Sequence, residues 1–204
     1  MAKPAKKTKK TERSKEKVVR RSAADFFQDN KAIAGFDNSM RVVFTSIREL
    51  VENGLDAAER QGSHLPEIHV TIQKLEKEEI TRLLDVRSFD SSDKLDFLRL
   101  TVRDNGSGIQ SEFIPPLFGR VLTGSNYGAR QSRGRFGLGA KMVLLNAMSS
   151  VDLPLVIKSK YIDEDFTSYH ELMINLAENE PIILVQREIP QNLPEAIEDS
   201  GTEV

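Results

Sequence analysis

The sequence predicts an α+β fold, a two-layer sandwich with helices on one face of a mixed, mostly antiparallel sheet. Three observations predict it. A stretch from Asn38 to Gln61 carries apolar residues at three- and four-residue steps. Residues 67–75 and 97–102 alternate apolar and polar side chains, the period of a half-buried strand. Three more strand candidates, 155–159, 168–175 and 182–188, follow a second helical stretch at Gly139–Ser149. There is no internal repeat.

The chain has 204 residues, enough for one domain with a real core. It has no cysteine, which excludes disulfides, thiolate chemistry and cysteine-ligated zinc. His64, His69 and His170 share no metal-binding spacing and read as ordinary surface or partly buried residues. No window approaches 18 consecutive apolar residues, so no membrane span is expected. The N-terminus has no apolar core of the secretory kind. Net charge is −2 but uneven: residues 1–21 hold ten Lys and Arg against two Glu, a net of +8 on a body of −10. That arm lacks aliphatic periodicity and is expected to be disordered when free. A nuclear import signal, a clamp on DNA phosphates and a plain solubilising tail all fit it.

Residues 22–39 follow as a strap. Ser22 is a candidate helix cap, and Phe26, Phe27, Ile33 and Phe36 are apolar anchors for a body or a partner. In the long helix, Met40, Val43, Phe44, Ile47, Leu50, Val51 and Leu55 form the apolar set, and Gly62 is the stop. Residues 76–96 are polar and charged and read as a partly helical insertion. A loop follows the strand at 97–102, then a short helix near Ser111–Phe118. Residues 119–137, rich in Gly, Ser and Arg, have the profile of a mobile loop.

Three segments carry chemistry. On a helix, Glu49, Asn53 and Asp56 fall on one face. A carboxamide oxygen there suits Mg²⁺, and a carboxylate one turn away can orient and deprotonate a water beside a phosphate. A solvated polar face is the plain alternative. The second segment is Asp104-Asn-Gly-Ser-Gly108 at a strand end. Its carboxylate can accept from an exocyclic amine, while Gly106 and Gly108 allow positive φ and close approach of a flat ring. The plain alternative is a turn. The third runs from Ser132 and Arg133 through Gly134, Gly137, Leu138, Gly139 and Ala140 to Lys141, a glycine-rich loop opening a helix. Backbone N–H groups and the helix dipole favour phosphate there. It is not a P-loop, since Ala140 separates Gly139 from Lys141 and Met142 is neither Ser nor Thr. It is not a dinucleotide fingerprint, since Met142 stands where a glycine belongs.

The order of these segments resembles the GHKL ATPases, the family of gyrase, Hsp90, MutL and the sensor histidine kinases, with the Bergerat fold. The matching pieces are Glu49-x-x-x-Asn53, Asp104-x-Gly106-x-Gly108 and Gly134-x-x-Gly137-x-Gly139. Gly201-Thr202 looks like that family's late threonine motif. Within the family, Phe26–Phe36, Arg48–Ala57, Phe118–Ser125 and Gln131–Gly134 are similar to the ATPase subunits of type IIB topoisomerases, the topoisomerase VI group. The resemblance covers about 24–204 and implies one ATPase domain over 40–204, with ATP and Mg²⁺ as cofactors. It implies Glu49 as general base, Asn53 as metal ligand, Asp104 as adenine anchor with Thr202 beside it, and Gly137–Lys141 around the phosphates. It also implies a homodimer made through the strap, DNA as partner, and the topoisomerase VI A subunit, which cleaves DNA, held through a region beyond Val204.

Residues 76–96 are longer and more polar than the resemblance implies. The family's transducer domain, whose lysine reaches the γ-phosphate, is expected to be absent, which leaves two readings. One is the ATPase module of a type IIB topoisomerase, nearly inactive as this fragment. The other is a non-catalytic ATP-binding or regulatory form. A histidine kinase domain is disfavoured because no phosphoacceptor-histidine helix precedes it. The lysine-rich arm points to the nucleus in a eukaryote, with the cytoplasm as the prokaryotic alternative.

Overall fold

The computed structural model describes residues 35–62, 65–83, 96–120 and 139–204. The arm, most of the strap (including Ser22, Phe26, Phe27 and Ile33), His64 and residues 121–138 lie outside the described residues.

Helix α1 (Ser39–Gln61) begins where the sequence supplies a cap: the Arg41 N–H donates to Asn38 Oδ1 at 2.9 Å. It ends at Gly62, whose φ of 70° is the left-handed turn a glycine takes without penalty, and the Gly62 N–H reaches Ala58 O. Its burial departs from the expected apolar stripe. Met40 is 82% and Phe44 67% exposed. Its buried residues are instead Thr45, Ser46, Leu50, Gly54, Asp56 and Ala58. Small residues let the helix axis approach the strands closely. A Cβ on Gly54 would stand 2.8 Å from Ile68 Cδ1 and 3.0 Å from Asp104 Cβ.

Strands β1 (Ile68–Lys74) and β2 (Leu98–Asp104) pair antiparallel, Ile68 opposite Asp104 and Lys74 opposite Leu98. The insertion between them holds helix α2 (Lys77–Leu83). After β2 come a 3₁₀ turn, Ser111–Phe113, and α3 (Ile114–Gly119). Helix α4 (Gly139–Val151) leads to β3 (Leu155–Lys160), β4 (Phe166–Asn175) and β5 (Glu180–Pro190). A last strand, β6 (Gly201–Glu203), was not legible as a strand in the sequence.

Among the described residues six strands lie in the order β1-β2-β6-β3-β4-β5, and each of these pairings is antiparallel. The shortest and last strand therefore sits in the middle of the sheet. Val102 and Val204 exchange both backbone hydrogen bonds, at 2.8 and 2.9 Å, and Ser159 lies opposite Thr202. This places the chain's last residues beside the end of β2. Helix α1 packs on β1, β2 and α4, while α3 packs on β4 and β5. Under them, Phe36, Met142, Leu144, Leu145 and Ile174 form one apolar cluster, and Ile114, Ile157 and Leu172 a second. Phe36, read as a strap anchor, is part of this core.

Candidate functional site

The end of β2, the inner side of α1 and the first turn of α4 enclose a cavity of about 620 Å³, within the size range of small-ligand sites. Its wall includes Asn53, Asp104, Gly108, Gly139, Lys141 and Thr202. Three segments separated by about fifty and then thirty-five residues thus meet in one space.

Asp104 is held by backbone donors: the Gly106 N–H reaches Oδ1 at 2.8 Å, and the Thr202 N–H also donates to the carboxylate. Burial pushes the Asp104 carboxyl up to about 6, against these two donors and the charges of Arg60 and Arg103. The next residue holds the loop in place. Asn105 Oδ1 accepts from the Glu67 N–H at 2.9 Å and its Nδ2 donates to Leu65 O at 3.0 Å. That ties the entry to β1 to the end of β2.

Of the two loop glycines, Gly108 has the positive φ expected and Gly106 does not. Gly106 is not in the cavity wall; a Cβ there would stand 2.7 Å from Ala57 Cβ, so its smallness lets the loop lie on α1. Gly108 has φ +68°, and a Cβ would run into the Lys160 carbonyl oxygen. A Cβ there would meet protein backbone, and the residue also lines the cavity. Gly108→Ala is expected to cost about 2–4 kcal/mol, the sum of a left-handed alanine and a backbone overlap that no rotamer relieves. Urea denaturation checks this; an unchanged midpoint would mean the loop does not rest on Lys160.

Helix α4 opens at the cavity with Gly139, Ala140 and Lys141. Lys141 is 3% exposed, and its Nζ has no hydrogen-bond partner among the described residues. Burial lowers its ammonium to about 8. A buried amine with no partner among the described residues, on a residue of the cavity wall, is a ready site for an anion. Glu49 lies outside the cavity wall but next to it: a Cβ on Gly139 would come 2.9 Å from its Cδ. Its Oε1 accepts from Arg48 Nη2 at 2.5 Å. Asn53 is exposed towards the cavity, while Asp56, expected on the same face, is buried in the wall.

Ser132, Arg133, Gly134, Gly137 and Leu138 lie outside the described residues. Among the described residues no group of three or more His, Cys, Asp or Glu could hold a metal. His170 departs from the expected surface or partial burial: it is 0% exposed on the inner face of β4, and burial lowers its pKa. No described helix is long and apolar enough to cross a membrane.

Sequence reasoning missed Gly54, Asn105 and Ser159. For Gly54 a signal existed: glycine inside a 23-residue helix is unfavourable by roughly 1 kcal/mol, which implies close approach. Asn105 was read as a turn residue, and Ser159 as the last residue of a strand.

Comparison with known proteins shows the family of the chain. The model of the family described as "Histidine kinase-, DNA gyrase B-, and HSP90-like ATPase" matches residues 41–161. The chain is 32% identical over 217 aligned positions to the B subunit of DNA topoisomerase 6 of Arabidopsis thaliana, covering 82% of this chain and 32% of that protein. It is 38% identical over 170 positions to the B subunit of the type 2 DNA topoisomerase 6 of Metallosphaera sedula, covering 83% and 29%. The chain thus spans about a third of the length of these relatives. The crystal structure of the ATPase region of Saccharomyces cerevisiae topoisomerase II shares the fold, with a TM-score of 0.51 at 19% identity over 79% of this chain and 36% of that one. The chain belongs to the histidine kinase-, DNA gyrase B- and HSP90-like ATPase family.

Proposed function

We propose that the chain is the ATP-binding and ATP-hydrolysing module of a type IIB DNA topoisomerase, similar to the B subunit of topoisomerase VI. Nucleotide binding closes a gate between two protomers for DNA strand passage, and hydrolysis reopens it. The observation that carries this reading is the cavity wall shared by a buried carboxylate, a carboxamide and Lys141, whose ammonium has no partner among the described residues.

In this reading Asp104 accepts from the adenine amino group, with Thr202 beside it. The Gly139–Lys141 turn and the Lys141 ammonium hold phosphate, together with contacts from 132–138. Glu49 orients and deprotonates the attacking water. The donor set fits Mg²⁺: carboxamides in the wall (Asn53 and Gln110) and no three-acid cluster among the described residues suit an ion that keeps waters and binds mainly through phosphates. Asn53 Oδ1 would hold it, and the ion would supply charge neutralisation along the phosphates. By similarity to the topoisomerase VI relatives, the partners are a second copy through the 22–39 strap, DNA and the DNA-cleaving A subunit. The basic arm supports a nuclear location in a eukaryote.

Calorimetric titration with Mg-ATP tests the reading. A phosphate raises the Lys141 ammonium back towards its ordinary value of 10.5. Binding at pH 9 is therefore expected to take up a proton that binding at pH 6.5 does not, seen as heat that varies with the buffer's ionisation enthalpy. Lys141→Met is expected to remove that uptake and weaken binding about ten- to hundredfold. No saturable binding at millimolar ATP would end the proposal.

A further inference from the structure

Behind the cavity wall, Ser159 joins three parts of the site from a position with 0% exposure. Its Oγ accepts from the Ile109 N–H at 2.8 Å, on the loop that follows Asp104. It stands 3.1 Å from the Gly201 carbonyl oxygen and 3.0 Å from Thr202 Oγ1. A serine hydroxyl has one hydrogen to give and two lone pairs. The Ile109 N–H can only donate and the Gly201 carbonyl can only accept. All three contacts are hydrogen bonds at once in one arrangement alone: Ser159 gives its hydrogen to Gly201 and receives that of Thr202. Thr202, which lines the cavity, is then left with lone pairs and no hydrogen to offer a ligand. Its neighbour there is Asp104, already an acceptor, whose carboxylate takes the Thr202 backbone N–H.

We propose that Ser159 is a positioning residue that fixes Thr202 as a hydrogen-bond acceptor towards the cavity. The corner formed by Thr202 and Asp104 therefore takes a ligand amino group and rejects a carbonyl in the same place. This deepens the ATP-binding reading and rests on it. A ligand carbonyl would need the Thr202 hydrogen, and releasing it breaks a bond inside the Ser159 network. Without the Ser159 hydroxyl, Thr202 turns freely and serves either ligand.

The test compares ATP with inosine triphosphate, which carries a carbonyl where adenine carries its amino group. Dissociation constants are measured for the wild type, Ser159→Ala, Thr202→Val and the double variant. The wild type is expected to prefer ATP by at least about tenfold. Ser159→Ala is expected to shrink that preference about tenfold, chiefly by tightening inosine triphosphate, a gain that a merely damaged fold does not produce. The double variant is expected to show no loss of preference beyond that of Thr202→Val, because both changes remove one device. If Ser159→Ala fails to fold, Ser159→Cys keeps the volume with a much weaker donor and is expected to shrink the preference by a smaller factor. An unchanged preference in a folded Ser159 variant, or losses that multiply in the double variant, overturns the inference and leaves the ATP reading standing. A wild-type chain that binds neither nucleotide overturns both.

Discussion

Replacing Asp104 with Asn is expected to abolish measurable ATP binding while making the fold more stable at neutral pH. The two effects share one cause. The carboxylate is buried, and burial holds its pKa at about 6, above its ordinary 3.8. The folded state therefore binds the proton more tightly than the unfolded chain. The stability this gives is complete below about 3.8 and is lost as pH rises through 6. Above that the ionised carboxylate destabilises the fold by on the order of 3 kcal/mol. The amide carries no charge and recovers much of this, and its oxygen can keep the Gly106 N–H bond. Its NH₂ then faces the cavity and meets the ligand's amino group donor to donor. A bond to a charged acceptor is replaced by a clash of donors, so the expected loss of affinity is about a hundredfold or more. Denaturation at pH 4 and pH 8 checks the first half: the difference in stability between wild type and Asp104→Asn should change sign or shrink strongly as pH falls. ATP titration checks the second. A variant that binds ATP as the wild type does would show that Asp104 does not contact the base.

Replacing Glu49 with Gln, measured on the full chain, is expected to lower ATP turnover by roughly 10²–10⁴ with binding changed less than about threefold. The geometry explains the split. Glu49 stands beside Gly139 rather than in the cavity wall, so it contributes little to holding the nucleotide. Its Oε1 is taken by Arg48, which leaves Oε2 on the Gly139 side, where phosphates are expected. Glutamine keeps the shape and one acceptor but cannot take the water's proton. Single-turnover hydrolysis beside equilibrium binding separates the two effects. Normal turnover in Glu49→Gln would remove Glu49 as the base. A parallel loss of binding would make it a structural residue of α1.

Much of the fold was legible because its signals are local. Asn38 and Gly62 bracket α1 through their own backbone geometry, and alternation marks β1 to β5 through side-chain period alone. Periodicity did not say which stripe of α1 is buried. Met40 and Phe44 fit the pattern and stand exposed, while the sheet is reached through Gly54, whose small size matters only once Ile68 and Asp104 lie against it. The three residues of β6 show no alternation to read, and their partners are β2 and β3, distant in sequence.

The sequence by itself determined which segments carry chemistry: a carboxylate and a carboxamide one turn apart, an acid at a strand end, and glycines at a helix start. Side-chain type and spacing are properties of the chain before it folds. Only the tertiary structure decided that Gly201-Thr202 wedges between β2 and β3 beside Asp104, that Ser159 sits behind it, and that Lys141 is stripped of partners among the described residues. Those depend on backbone pairing between remote segments and on what displaces water around a group, and both exist only in the assembled fold.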